Sequence, residues 1–201
     1  MPYAATSSHY LATDMLNQRA DADVRAHLDR FFRETERRAF KIAQISLKNT
    51  DEALDAVQDA MYNFVRSYSE KPAADWPKLF YTVLDSRLTD WHRRNTVRRR
   101  FFGLLPAVLD EGANMLDAVA DAHCFDPSVL RSGTETGAAI ETALQKLPER
   151  QRQAFLLRLW EGFDVAQTAE IMRCGEGSVK THLSRALNAL RLKLSDHYDS
   201  N

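Results

Sequence analysis

Glycine and proline are scarce in this chain, seven and six among 201 residues, and four of the glycines and two of the prolines fall between residues 103 and 138. The remaining sequence has few residues that end helices, which favours helical segments on either side of one broken connector. Alternation of apolar and polar residues at strand period is absent, so a sheet-based fold is excluded. Cysteine is limited to Cys124 and Cys174. They are far apart and lack a CxxC or a His-rich neighbour, which excludes a disulfide scaffold and a zinc site. No metal or other cofactor is expected. No apolar run approaches the roughly eighteen residues of a membrane-spanning helix. The first segment, "MPYAATSSHYLATDML", also lacks the basic stretch and apolar core of a secretory signal. The expectation is a cytoplasmic protein without membrane insertion. No nucleophile with a partner base, metal-ligand cluster or phosphate loop is present, so an enzyme is not expected.

What the chain does have is ordinary globular composition, 44% hydrophobic and 27% charged, and an uneven distribution of charge under a formal net charge of −1. Residues 71–105 carry eight Lys or Arg against three acids, residues 106–141 one Arg against seven acids, and residues 142–201 nine bases against seven acids. A basic block, an acidic connector and a mildly basic end point to separate contacts with different partners.

Helical periodicity organises the rest. Leu28, Phe31, Phe32, Ala39, Ile42 and Ile45 fall near helical spacing between about Val24 and Leu47, and "KNTD" then supplies a break with a cap at Thr50 or Asp51. In "DEALDAVQDAMYNFVRSY", Leu54, Val57, Met61, Phe64, Val65 and Tyr68 line a core face, while Asp55, Gln58, Asp59 and Asn63 lie mostly off it. A third helix starts near Pro77 and runs into "HRRNTVRRR". The expected fold is all-α in two small domains. Residues 1–23 form a loosely ordered lead-in, 24–102 a helical bundle, 103–138 an acidic flexible linker and 139–201 a helix-turn-helix domain.

The segment "DVAQTAEIMRCGEGSVKTHLSRALNALRLKL" carries the most specific pattern. A short helix, Val165 to Met172, meets a second helix across a tight turn, and small Ala166 and Ala169 permit a close crossing. Cys174 in the turn is read as a small buried hydrophobe. Val179, Leu183, Ala186, Leu187, Leu190 and Leu194 form the packing stripe of the second helix, with Ser178 as its cap. Lys180, Thr181, Ser184 and Arg185 are then nearest a DNA major groove. An isolated amphipathic helix with a basic face is usually just solvated, but the preceding helix and turn favour DNA reading.

"RLTDWHRRNTVRRRFF" places five Arg within eight residues after Trp91 and His92. Arginines neutralise phosphates, and Trp91, Tyr81 or Phe80 offer faces on which unpaired bases stack. Phe80 and Trp91 also fit the apolar stripe and so equally suit a core, whereas Tyr81 sits off it. His92 has no visible partner and is assigned no catalytic role. Two weak DNA readers on one chain gain from tethering, because the second acts at an effective concentration near millimolar.

With both segments in view, the sequence resembles the sigma factors of bacterial RNA polymerase, in particular the small extracytoplasmic-function group with two of the family's domains. "DEALDAVQDAMYNFVRSY" is similar to the clamp-binding helix, "PKLFYTVLDSRLTDWHRR" to the promoter-melting helix, and the segment from "LPERQRQAFLLRLW" to "HLSRALNAL" to the promoter-reading domain. The resemblance implies binding to core RNA polymerase and promoter DNA, with RNA synthesis left to the core. It implies that Asp55, Gln58 and Asp59 contact the polymerase clamp helices. Arg87, Trp91, Arg93 and Arg94 would lie where the minus-10 element is read and opened, and Lys180, Thr181, Ser184 and Arg185 would face the minus-35 element. An acidic connector suits the polymerase's cationic channels. Members of the group are also often restrained by an anti-sigma partner.

The chain departs from the family pattern at three positions. Ser86 stands where many members have Asn in the melting helix, Arg173 where the helix-turn-helix turn usually has Gly, and His182 where many carry Arg. A left-handed backbone at Arg173 would cost a non-glycine residue about 1–2 kcal/mol. Two other functions remain as alternatives: a stand-alone DNA-binding regulator, which leaves the Arg-rich helix unexplained, and a helical adaptor that binds only proteins.

Overall fold

The computed structural model describes the backbone of residues 5–101 and 135–198, with side chains over residues 23–97 and 137–194. The described elements are helical: α1 (Ala5–Leu47), α2 (Thr50–Tyr68), a short 3-10 turn (Ala73–Asp75), α3 (Trp76–Phe101), α4 (Glu135–Gln145), α5 (Glu149–Phe155) with a π-helical turn (Leu156–Trp160), α6 (Val165–Met172) and α7 (Glu176–Tyr198). Residues 103–134 of the expected linker, with Cys124, lie outside the described residues, and residues 135–138 already belong to α4. The expected loose lead-in is instead helical from Ala5. Beyond Pro2 that segment contains neither Gly nor Pro, and its Ala, Leu, Met, Gln and Arg residues extend a helix at little cost.

Lys48 reverses the chain after α1 with a left-handed backbone at φ 58°. The cap of α2 is therefore Asn49, ahead of the expected Thr50 or Asp51, and its side-chain oxygen accepts from the backbone N–H groups of Asp51 at 2.9 Å and Glu52 at 3.2 Å. Asp51 and Glu52 also place negative charge at the positive end of the helix.

Helices α1 to α3 close around aromatic rings. Phe31, Phe32, Phe64, Trp76 and Phe80 pack with ring centroids 5.3 to 6.1 Å apart, several of them edge to face, as the ring quadrupoles prefer. The Trp76 indole N–H, which would be costly to bury unpaired, donates to the Lys71 carbonyl at 2.8 Å. From α2 the buried side chains are Ala53, Val57, Ala60 and Phe64, while Leu54 and Val65 are exposed, contrary to their expected place in the core. The small alanines let α2 approach its neighbours closely and so rotate the buried face away from the larger side chains.

The second half buries Ile140, Leu144, Phe155, Leu156, Ile171, Met172, Val179 and Leu190 around the helix-turn-helix. Gly162, at φ 81°, ends the helical run after the π turn. Asp164 then starts α6 with a capping box: its carboxylate accepts from Gln167 N at 2.7 Å, and Gln167 Oε1 accepts from Asp164 N at 3.1 Å.

The two halves meet along one face of α3. The Tyr81 ring packs edge-on against Phe163, with centroids 5.4 Å apart. Gln153 donates to the Asp85 carboxylate, Arg173 donates to Ser86 Oγ at 3.1 Å, and Lys78 pairs with Glu170 at 2.7 Å. From α1, Arg38 pairs with the almost fully buried Glu161 at 2.9 Å, and Lys41 with Glu141 at 2.5 Å. A narrow cleft of about 30 Å³ remains in this seam, lined in part by Asp85, His92, Arg152 and Gln153.

Burial pushes the Asp85 pKa up to about 7, and Glu149 adds to the rise, while the Gln153 hydrogen bond and the charges of Arg150 and Arg173 oppose it. Packing thus favours the protonated carboxyl. This contribution is fully present below the ordinary value near 3.8 and is lost as pH rises to about 7. His92 runs the other way. Burial, Arg152 and Lys48 lower it to about 4, so its contribution is present above 6.5 and is lost as pH falls to about 4. Asp85→Asn keeps an acceptor for Gln153 and removes the ionisation. The variant should melt a few degrees above the parent at pH 8, with the gap closing toward pH 4, as followed by circular dichroism. A gap independent of pH would contradict this origin.

Candidate nucleic-acid and protein-binding surfaces

Three surfaces gather the candidate residues. On α2, Asp55, Gln58 and Asp59 are all exposed, and Leu54, Tyr62 and Val65 are exposed beside them. Tyr62 is 68% exposed, which is unusual for so large a ring outside a binding surface. Positions 54, 55, 58, 59, 62 and 65 follow helical spacing, so acids, an amide and apolar groups share one face. This mixture suits a protein partner, with apolar contact at the centre and charge fixing the register. Only the polar part was legible in the sequence, because large apolar residues at this spacing are ordinarily assigned to the core.

The second surface is the distal half of α3. Arg93 and Arg94 are exposed, while Arg87 is half-buried. Arg93 lies 3.7 Å from Asp90 in a weak surface pair, and Arg94 Nε donates to the Asp90 carbonyl at 3.3 Å. Trp91 is half-buried against the core, and its ring meets His92 at 5.1 Å. Phe80 and Tyr81 are both buried, so neither presents a face to a base. Tyr81 was expected off the apolar stripe; it is, but the C-terminal half covers it. Of the three candidate stacking rings, only Trp91 remains partly accessible.

The third surface is α7 as α6 positions it. Arg173 takes the left-handed conformation, φ 51° and ψ 50°, in a turn where N–H of Cys174 donates to Ala169 O at 3.0 Å. Arg150 donates to the Met172 carbonyl at 3.0 Å, which sets a cation at the negative end of α6. The second helix begins at Glu176, so Ser178 lies inside its first turn and is not its cap. The first turn closes on the Gly175 carbonyl, which accepts from Ser178 N at 3.0 Å. Ala169 is buried at the helix crossing as expected, but Ala166 is exposed. Cys174 is half-buried and packs against the core.

With Val179, Ala186, Leu187 and Leu190 buried, α7 turns its other side outward. Lys180 is exposed there, and Thr181, Ser184 and Arg185 are half-buried. Thr181 Oγ1 donates to the Gly177 carbonyl at 2.9 Å, leaving its lone pairs for an incoming donor. These four residues share one face, separate from the arginines of α3 and the acids of α2. The seam residues Arg38, Lys41, Lys78, Asp85, Gln153 and Glu161 escaped sequence reasoning, because pairing across the chain leaves no periodic signal. Among the described residues no cluster of metal-ligating side chains occurs, and no helix is long and apolar enough to cross a membrane.

Known proteins are similar to this chain in sequence and in fold. Residues 137–190 match the family model described as Sigma-70, region 4. The chain is 27% identical over 180 residues to the ECF RNA polymerase sigma factor SigM of Mycobacterium tuberculosis, covering 85% of this chain and 82% of that one. It is 26% identical over 160 residues to the RNA polymerase sigma factor SigV of Bacillus subtilis, covering 78% and 84%. The fold is similar to that of the sigma factor RpoE solved in complex with the anti-sigma factor NepR from Bartonella quintana, with a TM-score of 0.56 and 23% identity over 82% of this chain and 96% of that one. The chain thus carries a match to sigma-70 region 4 in its helix-turn-helix half and is similar to extracytoplasmic-function sigma factors over most of both lengths.

Proposed function

We propose that this protein is a sigma factor that binds core RNA polymerase and directs promoter-specific initiation. The observation that carries this reading is the ordered pair of basic elements, α3 and the α6–α7 helix-turn-helix, in a chain similar to sigma factors over most of its length. A stand-alone regulator accounts for the second element only. Sigma factors are not enzymes, and the core supplies the polymerisation chemistry in the cytoplasm, where we place the protein.

Residues 24–102 form the polymerase-binding and minus-10 domain, 103–138 the linker and 139–201 the minus-35 domain. Asp55, Gln58 and Asp59, with exposed Leu54, Tyr62 and Val65, meet the clamp helices of the largest polymerase subunit. Arg87, Arg93 and Arg94 hold phosphates of the minus-10 element, and Trp91 supports the opened strand. Lys180, Thr181, Ser184 and Arg185 face the minus-35 major groove. An anti-sigma factor is a fitting further partner, since the solved neighbour is a complex with one.

Asp55→Ala combined with Asp59→Ala should weaken co-elution with core polymerase at least tenfold while leaving the circular dichroism spectrum unchanged. Unaltered association would remove these residues from the clamp contact. Arg185→Ala should cost about 1–3 kcal/mol of promoter binding and relax preference at one minus-35 position, if its guanidinium reads a base. Equal loss on every sequence, measured by selection from a promoter library, would make it a phosphate contact.

A further inference from the structure

A left-handed backbone is costly for any residue with a Cβ, and among the described residues two non-glycine positions hold one, Lys48 and Arg173. The arginine uses its side chain on Ser86. Lys48 ends α1, where its N–H donates to the Gln44 carbonyl at 2.9 Å and the chain turns into α2. Glycine fits such a position without strain. Asparagine also tolerates it and stands next in the chain, but Asn49 serves as the cap of α2. The turn is held from several sides. Gln44 Nε2 donates across it to Thr50 Oγ1 at 3.5 Å, and Ala53 N donates to the Asn49 carbonyl at 3.0 Å. Strain kept in a turn so fully determined points to a use for the side chain that bears it.

The fold sets that side chain beside the distal half of α3. Ile42 and Ser46, in the last turns of α1, line the same narrow cleft as Leu88, Thr89 and His92 of α3. Burial, Arg152 and Lys48 together lower the His92 pKa to about 4, so the charge of Lys48 is felt at the turn of α3 that carries Arg93 and Arg94. Lys48, Arg93 and Arg94 are all exposed. Three cations from two distant segments of chain thus gather at one end of the first bundle. Asp51 and Glu52 follow Lys48 closely in sequence, but they serve the positive end of α2. Cations brought together in this way form a track for phosphates.

We infer that Lys48 is a further promoter contact: its ammonium takes a backbone phosphate of the minus-10 DNA and extends the arginine surface of α3 onto the turn between α1 and α2. This contact rests on the reading of α3 as the minus-10 segment. A lysine on a phosphate carries no sequence information; it fixes the register in which α3 meets the DNA. A cation at the C-terminal end of α1 also suits the helix dipole, and that role acts on folding alone.

The test is Lys48→Gly in full-length protein assembled with core polymerase, with binding to a fluorescent promoter fragment, selected from a library by the parent, followed as salt is raised. Glycine relieves the strained backbone and removes the ammonium, so the variant should melt no lower than the parent and bind core equally well. Its promoter affinity should fall about fivefold to tenfold near 0.1 M salt, and log affinity should fall less steeply with log salt, by about 0.7 to 0.9 in slope, as loss of one phosphate contact requires. Lys48→Arg should keep both affinity and slope. A glycine variant that matches the parent, or that loses affinity with an unchanged slope, would overturn the contact. Weaker binding to core with promoter binding of the assembled complex intact would place Lys48 on the polymerase instead, and a lower melting temperature as the sole effect would leave it only the helix dipole. A parent that does not load onto core or select a promoter would strike the sigma-factor reading, and this contact with it.

Discussion

Helix α3 is packed on two sides, and the rest of the molecule is arranged around that constraint. One side carries Phe80, Leu84 and Leu88 into the core of the first bundle. Another brings Tyr81, Asp85 and Ser86 against the C-terminal half. The apolar side holds by ring packing and burial, which change little with salt or pH. The mixed side holds by ion pairs, one strained arginine and a carboxyl that burial keeps largely protonated at moderately acid pH, all of which respond to conditions. A permanent interface and a conditional one therefore share a single helix, and the basic half of that helix extends beyond both.

The separation of binding surfaces follows from the same geometry. Helix α2 contributes small alanines to the bundle and leaves a face of acids and large apolar groups exposed, the face proposed to meet a protein. Helix α7 buries a stripe of aliphatic side chains and leaves Lys180 exposed and Arg185 half-buried on its other side, the face proposed to meet nucleic acid. Acids and bases that nearly cancel over the whole chain thus lie on different surfaces.

Legibility in the sequence tracked the range of the interaction. The stripe of α7 was readable because six side chains repeat at helical period, and the order of the two halves was readable from where glycine and proline concentrate. Leu54 and Val65 were misread because periodicity records where large apolar residues recur and not whether small neighbours such as Ala53 and Ala60 bring another helix closer. The helix starts differ from the expected ones, with Asn49 capping α2 and α7 beginning at Glu176, for a local reason, since the turn before each helix decides which carbonyl closes its first turn. Tyr81 and the seam could not be read at all. Their partners lie 68 to 123 residues away, and a lone tyrosine or lysine looks the same in sequence whether it faces solvent or another domain. The departures at Ser86 and Arg173 were visible one by one, but only the folded chain brings them within 3.1 Å of each other.

The most direct test of the central claim is to mix purified protein with core bacterial RNA polymerase, follow co-elution, and transcribe a library of promoter fragments. A sigma factor will co-elute and drive initiation from fragments that share two spaced elements, one read by α3 and one by α7. Absence of binding to a core that accepts another sigma factor, or binding without sequence-dependent initiation, would contradict the account.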